Sequence, residues 1–138
     1  MSVSLTGFAA AETLPADYAG NTDSLIDIKN PESAVTSTAT KVCVVSAVAA
    51  PGTTVTLYSF DADTNTYTKM YSDGAALETV VGAAGLYAQN IDLKTGVNNI
   101  LVAAQSGDSV ETIRLEITLL KSGISETLRN IWQTIIGL

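Results

Sequence analysis

The sequence predicts an all-β chain built as a single antiparallel β-sandwich of about seven strands, with an extended arm before it and an amphipathic helix after it. Three observations predict it. Two long segments, 45–58 and 85–104, alternate apolar and polar residues on either side of a Pro-Gly or Gly-x-Asn corner, the period of a strand with one buried face. Short apolar runs recur at strand length with turn residues between them. After residue 120 the period changes from two to that of a helix, which marks the end of the sandwich.

In order, residues 1–33 form the arm, 34–120 the sandwich and 121–138 the helix. The arm carries Pro15 and Pro31 and five acidic residues, Glu12, Asp17, Asp23, Asp27 and Glu32, against Lys29. Only 24–28 inside it reads as a strand. Sandwich strands are expected over 35–48, 53–60, 65–71, 77–81, 85–93, 97–105 and 110–120. The last alternates most clearly: Ile113, Leu115, Ile117 and Leu119 share one face, with Arg114, Glu116 and Thr118 on the other. By the same phase, Cys43, Val45, Val55, Leu57, Tyr87, Ile91, Leu93, Ile100, Val102, Ile113, Leu115 and Ile117 form the expected core. At the corner 93–98, Gly96 is expected at positive φ and Asn98 in bonds to backbone across the turn.

The run Val45-Ser46-Ala47-Val48-Ala49-Ala50-Pro51-Gly52-Thr53-Thr54-Val55-Thr56-Leu57-Tyr58 is followed by Gly85-Leu86-Tyr87, then Ile91-Asp92-Leu93, Gly96-Val97-Asn98, Ile100, Val102 and Ala104. Together these resemble the bacterial immunoglobulin-like domains of adhesins, invasin-type proteins, multidomain glycosidases and some phage virion proteins. The family pattern is V-x-G-x-A-x-P-G-x-x-V-x-V-Y, then G-x-Y/F, then V-x-L-x-x-G-x-N-x-I-x-V-x-A. Ala47 departs from it where the family usually has Gly, which asks only that this position avoid a positive φ. The resemblance spans about residues 34–120. It implies an Ig-like fold and the work of a spacer or binding module.

In the last region Ile124, Leu128, Ile131, Trp132, Ile135 and Ile136 fall on one helical stripe. Ser122 or Gly123 can cap its start; with Gly123, Glu126 takes the third helical position, where a carboxylate suits the dipole. Gly137 ends it. So short a helix is marginal alone in water, so the stripe must be covered. Three covers are open: the chain's own sandwich, another subunit with Trp132 as anchor, or a membrane surface, the last disfavoured by a polar face poor in cations.

Charge and composition narrow the partners. The chain has 138 residues, 46% of them apolar, enough for one domain with a core. Its 14 acidic and 7 basic residues give a net charge of -7, and no basic stripe is present for phosphate, so no nucleic acid is expected as partner. No apolar run is long enough for a transmembrane segment. The start of the chain lacks the basic and long apolar stretches of a secretory leader, so an extracellular place implies either a removed signal or another route of export. The expected place is extracellular, on the surface of a cell, spore or virion.

Catalytic chemistry finds little material. The chain has no His, which excludes Ser-His-Asp and Cys-His arrangements, and its single Cys43 reads as a small buried hydrophobe. Asp61, Asp63 and Asn65 open a D-x-D-x-N calcium pattern, but Thr66 and Ser72 stand where the loop's Gly and bidentate Glu belong, and a hairpin turn explains the same residues. No cofactor or metal is expected. Tyr58, Phe60, Tyr67 and Tyr71 could offer a stacking platform for sugars, although cross-strand packing accounts for such aromatics more often. Nothing nominates a pair among the acidic residues for glycoside hydrolysis.

The expected function is that of a non-catalytic structural subunit. Its arm (Val3, Leu5, Phe8) and its helix (Ile124, Leu128, Ile131, Trp132, Ile135) would join it to neighbouring copies, as a homo-oligomer or part of a larger surface, virion or filament assembly. The alternative is an adhesive or carbohydrate-binding module working through its loops.

Overall fold

The computed structural model describes residues 11–121. Twelve strands follow in order: β1 (Thr13–Pro15), β2 (Ile26–Asn30), β3 (Val35–Thr38), β4 (Val42–Ala49), β5 (Thr54–Asp61), β6 (Thr66–Lys69), β7 (Tyr71–Ser72), β8 (Ala75–Ala76), β9 (Glu78–Val80), β10 (Leu86–Asp92), β11 (Gly96–Ser106) and β12 (Ser109–Leu119). The fold is all-β. A large sheet runs β1-β6-β5-β11-β12-β3, with β9 also pairing β5; a small sheet runs β10-β4-β2; β7 and β8 form a separate ribbon.

The core lies between the two sheets, where alternation places it. Val45, Ala47 and Ala49 of β4 and Tyr87 and Ile91 of β10 face Val55, Leu57, Ile100, Val102, Leu115 and Ile117 of the large sheet, all buried. Ten of the twelve expected core residues are buried; Cys43 and Ile113 are half-buried and pack against the cluster. The Leu93–Asn98 corner is built as its residue types require. Gly96 has φ 98°. The Asn98 side chain accepts from the Lys94 N–H at 2.9 Å and donates to the carbonyls of Lys94 (2.8 Å), Gly96 (3.1 Å) and Ile117 (3.1 Å).

Four expectations are corrected. The expected strand over 35–48 is two strands in different sheets, because the polar stretch 39–41 carries the chain from β3 to β4. The sheets are mixed: β3 pairs in parallel with β12, Val35 opposite Glu116 and Thr38 opposite Leu119. Two sheets hold more than seven strands, since short pieces join their margins. Finally, residues 11–30 do not extend away from the sandwich: β1 pairs β6 and β2 pairs β4. Val3, Leu5 and Phe8, and the stripe Ile124, Leu128, Ile131, Trp132 and Ile135, lie outside the described residues.

The physical reason for the last correction is that the large sheet is apolar on both faces. Tyr58, Leu101 and Ala103 alternate with the core residues of β5 and β11, so they point outward, yet all three are fully buried. Leu14, Tyr67 and the partly buried Ala11, Tyr18 and Phe60 complete this second cluster. Burying a Leu-sized side chain contributes roughly 1.5–3 kcal/mol, so the N-terminal segment gains more on the sheet than in water.

Candidate assembly surfaces

The outer face of the large sheet is closed by the chain itself. Tyr58 donates its hydroxyl to the Ala11 carbonyl at 3.0 Å, and the Arg114 guanidinium donates to the carbonyls of Ala16 (3.0 Å) and Tyr18 (2.6 Å) while lying 5.5 Å from the centre of the Tyr67 ring. The buried Lys69 ammonium sits 3.2 Å from Glu78 and 3.7 Å from Glu12. Further along, Asn21 and Thr22 donate their N–H groups to the Val110 carbonyl, and the Asn21 side chain accepts from the Val110 N–H at 2.8 Å. The buried Glu111 carboxylate then accepts from the N–H groups of Leu25 (2.8 Å) and Ile26 (2.9 Å), steering the chain into β2.

This closure removes the sugar platform. Tyr58 and Tyr67 are buried under the N-terminal segment, and Phe60 meets Tyr67 edge to face at 5.3 Å. Only Tyr71 is well exposed, and its hydroxyl donates to the Glu12 carboxylate. Burial holds the Tyr58 hydroxyl far above its ordinary pKa, with Glu78, Tyr18 and Glu12 adding to the shift.

The calcium pattern is a turn. Asp61 accepts from the Asp63 N–H at 2.9 Å, Thr64 and Thr66 share a hydroxyl bond at 2.7 Å, and Asn65 takes the left-handed conformation (φ 56°) that returns the chain into β6. Among the described residues no three His, Cys, Asp or Glu side chains come together as a metal would require. Cys43 is a free, half-buried thiol, and burial raises its pKa.

Among the described residues, the outer face of the small sheet is left uncovered. On β4, Val45, Ala47 and Ala49 point inward, so Val42, Val44 and Val48 point outward, at 45%, 41% and 43% exposure. Leu86 of β10 stands opposite Val48 and is 68% exposed; Ala88, opposite Ser46, is exposed as well. Sequence reasoning missed this face because the inward residues explained the strand. The available signal was that Val42, Val44 and Val48 supply apolar residues in the outward phase too.

Sheet edges differ in how well they resist pairing. The strand β1 is three residues long and ends in Pro15, and β3 has four residues. In β2 a bulge falls between Ile28 and Asn30, and an Asp27–Lys29 ion pair of 2.7 Å precedes Pro31. Short length, bulges, charges and proline are the usual protections of an edge. The seven-residue β10, Leu86-Tyr87-Ala88-Gln89-Asn90-Ile91-Asp92, has none of them before its terminal Asp92, and among the described residues it pairs only with β4.

A surface hollow of about 260 Å³ lies between Phe60, Met70, Lys94, Asn98 and Ile100. Among the described residues no helix is long and apolar enough to cross a membrane. In comparisons with known proteins, no family model, curated protein or solved structure matches the chain.

Proposed function

We propose that the protein is a non-catalytic structural module of the Ig-like type that joins copies of itself, or a larger assembly on a cell, spore or virion surface, by β-strand addition. Strand order supports the Ig-like part. The β2, β4 and β10 strands stand in the order of strands A, B and E of an Ig sandwich, and β12, β11, β5 and β6 in the order of G, F, C and C′. In constant-type domains strand D lies beside E; here β9 pairs β5 instead. That switch leaves the β10 edge without a second strand among the described residues.

The free β10 edge is the observation that carries the proposal. An edge of this length offers main-chain donors and acceptors to an extended segment without needing specific side-chain chemistry. Ser2-Val3-Ser4-Leu5-Thr6 alternates with the period of such a segment, and residues 1–10 contain no charged side chain to oppose docking. A neighbour's N-terminal segment is therefore the donor strand in this proposal.

Sedimentation of the purified chain over a range of concentrations tests it. Reversible association is expected, and Asn90→Lys, which sets a cation at the middle of the edge, should shift it toward monomer while strand circular dichroism persists. Removing residues 1–10 should do the same. A chain that stays monomeric at every concentration would overturn the proposal.

A further inference from the structure

We propose that the C-terminal segment of the same chain covers the outer valine face of the small sheet, with Ile124, Leu128, Ile131, Trp132 and Ile135 packed on Val42, Val44, Val48 and Leu86. This is separate from strand addition, which uses the β10 backbone edge and the other end of the chain.

Where the described chain ends selects the occupant. The Leu120 N–H donates to the Thr38 carbonyl at 2.9 Å, and Leu119 and Leu120 line one hollow with Ala39, Lys41 and Leu93. Lys41 leads directly into Val42, the first of the outward valines. The chain therefore leaves the sandwich at the end where the apolar face begins. Only Lys121, Ser122 and Gly123 separate Leu120 from Ile124, and a tether this short gives an effective concentration on the order of millimolar.

Length and pattern agree with that placement. Six residue steps from Val42 to Val48 cover roughly 20 Å of strand. Eleven helical steps from Ile124 to Ile135 cover roughly 16 Å. A stripe at helical spacing presents one apolar side to such a face and leaves Glu126, Arg129 and Gln133 for the other. The N-terminal segment already covers the outer face of the large sheet through Leu14, Tyr18 and Ala11. Covering the small sheet from the other end would close both faces of the sandwich.

Trp132 is the chain's only tryptophan, so its fluorescence reports the contact directly. In the full-length protein, blue-shifted emission and protection from acrylamide are expected, both unchanged on dilution to where sedimentation shows monomer. Val44→Lys with Val48→Lys, on the sandwich, and Leu128→Asp, on the segment, should each shift emission to that of the unfolded chain while strand circular dichroism persists. Requiring the same shift from both sides separates loss of docking from loss of folding. A solvent-exposed Trp132 in the unaltered protein, or protection that survives all these substitutions, would overturn the inference. Protection lost on dilution would overturn it in favour of docking on a second copy.

Discussion

The residues that decide the fold locally are those whose chemistry has few alternatives. Asn98 makes four hydrogen bonds to backbone at one corner, and its neighbour Gly96 holds φ 98°, where a side chain is strained. Asn98→Ala leaves one N–H and three carbonyls without that partner and should cost on the order of 2–3 kcal/mol in denaturant unfolding. Both roles were legible, because a Gly-x-Asn corner between alternating runs admits few geometries. Tyr87 was legible as core but its hydroxyl was not: it is buried with no hydrogen-bond partner, and burial raises its pKa far above the ordinary 10.0. Below pH 10 both folded and unfolded states keep the proton, so the stabilisation is fully present. Above it the unfolded chain releases a proton that the folded chain retains, so stability falls as pH rises through the folded pKa. Tyr58 adds to this loss in the same direction. Tyr87→Phe removes an unpaired polar group and should leave neutral-pH stability equal or higher while making the alkaline loss shallower. Chemical denaturation at neutral pH and at about pH 11 checks it. A neutral-pH cost above about 1 kcal/mol would show that the hydroxyl is satisfied.

Elements were legible in proportion to the regularity of their alternation. The strands β5, β10, β11 and β12 fall within one or two residues of their expected ranges, because a slip of one residue would turn Thr54 of β5, Asn90 and Asp92 of β10, Asn99 and Gln105 of β11, or Arg114 and Glu116 of β12 inward. The crossing of β3 to the other sheet was not legible, since Thr36, Ser37, Thr38 and Thr40 give no phase to read. The N-terminal cover was missed for a similar reason: Leu14, Tyr18 and Gly20 form no repeat, although the unbroken apolar run 100–104 already required cover on both sides. Gly20 shows how closely that cover is fitted. A Cβ there would collide with the Val110 carbonyl oxygen, a backbone atom that cannot rotate away. Gly20→Ala should therefore lift the segment from β12 and cost roughly 1–3 kcal/mol. Hydrogen exchange should quicken at Lys69, whose N–H donates to the Glu12 carbonyl at 2.8 Å, while Val45 in the core stays protected. Equal protection at Lys69 in variant and parent would mean that the segment is held elsewhere.

At the scale of the molecule, the two candidate contacts differ from the average surface in carrying almost no charge. The whole chain has a net charge of -7, yet residues 1–10 bear no charged side chain and β10 bears only Asp92. Association by strand addition therefore draws on main-chain hydrogen bonds and apolar side chains, while the only general electrostatic term between copies is repulsion. Screening decides the sign of the salt effect. Raising ionic strength from about 0.02 M to about 0.3 M shortens the Debye length from roughly 20 Å to under 10 Å. Repulsion is then largely removed and the neutral contacts are untouched. Self-association should consequently tighten with added salt, by a few-fold rather than by orders of magnitude, and Asn90→Lys should weaken it at both salt concentrations. Contacts built on charge complementarity would behave oppositely, weakening as salt is added. Sedimentation at the two ionic strengths separates these outcomes, and association that weakens with salt would rule out the free β10 edge as the principal joint.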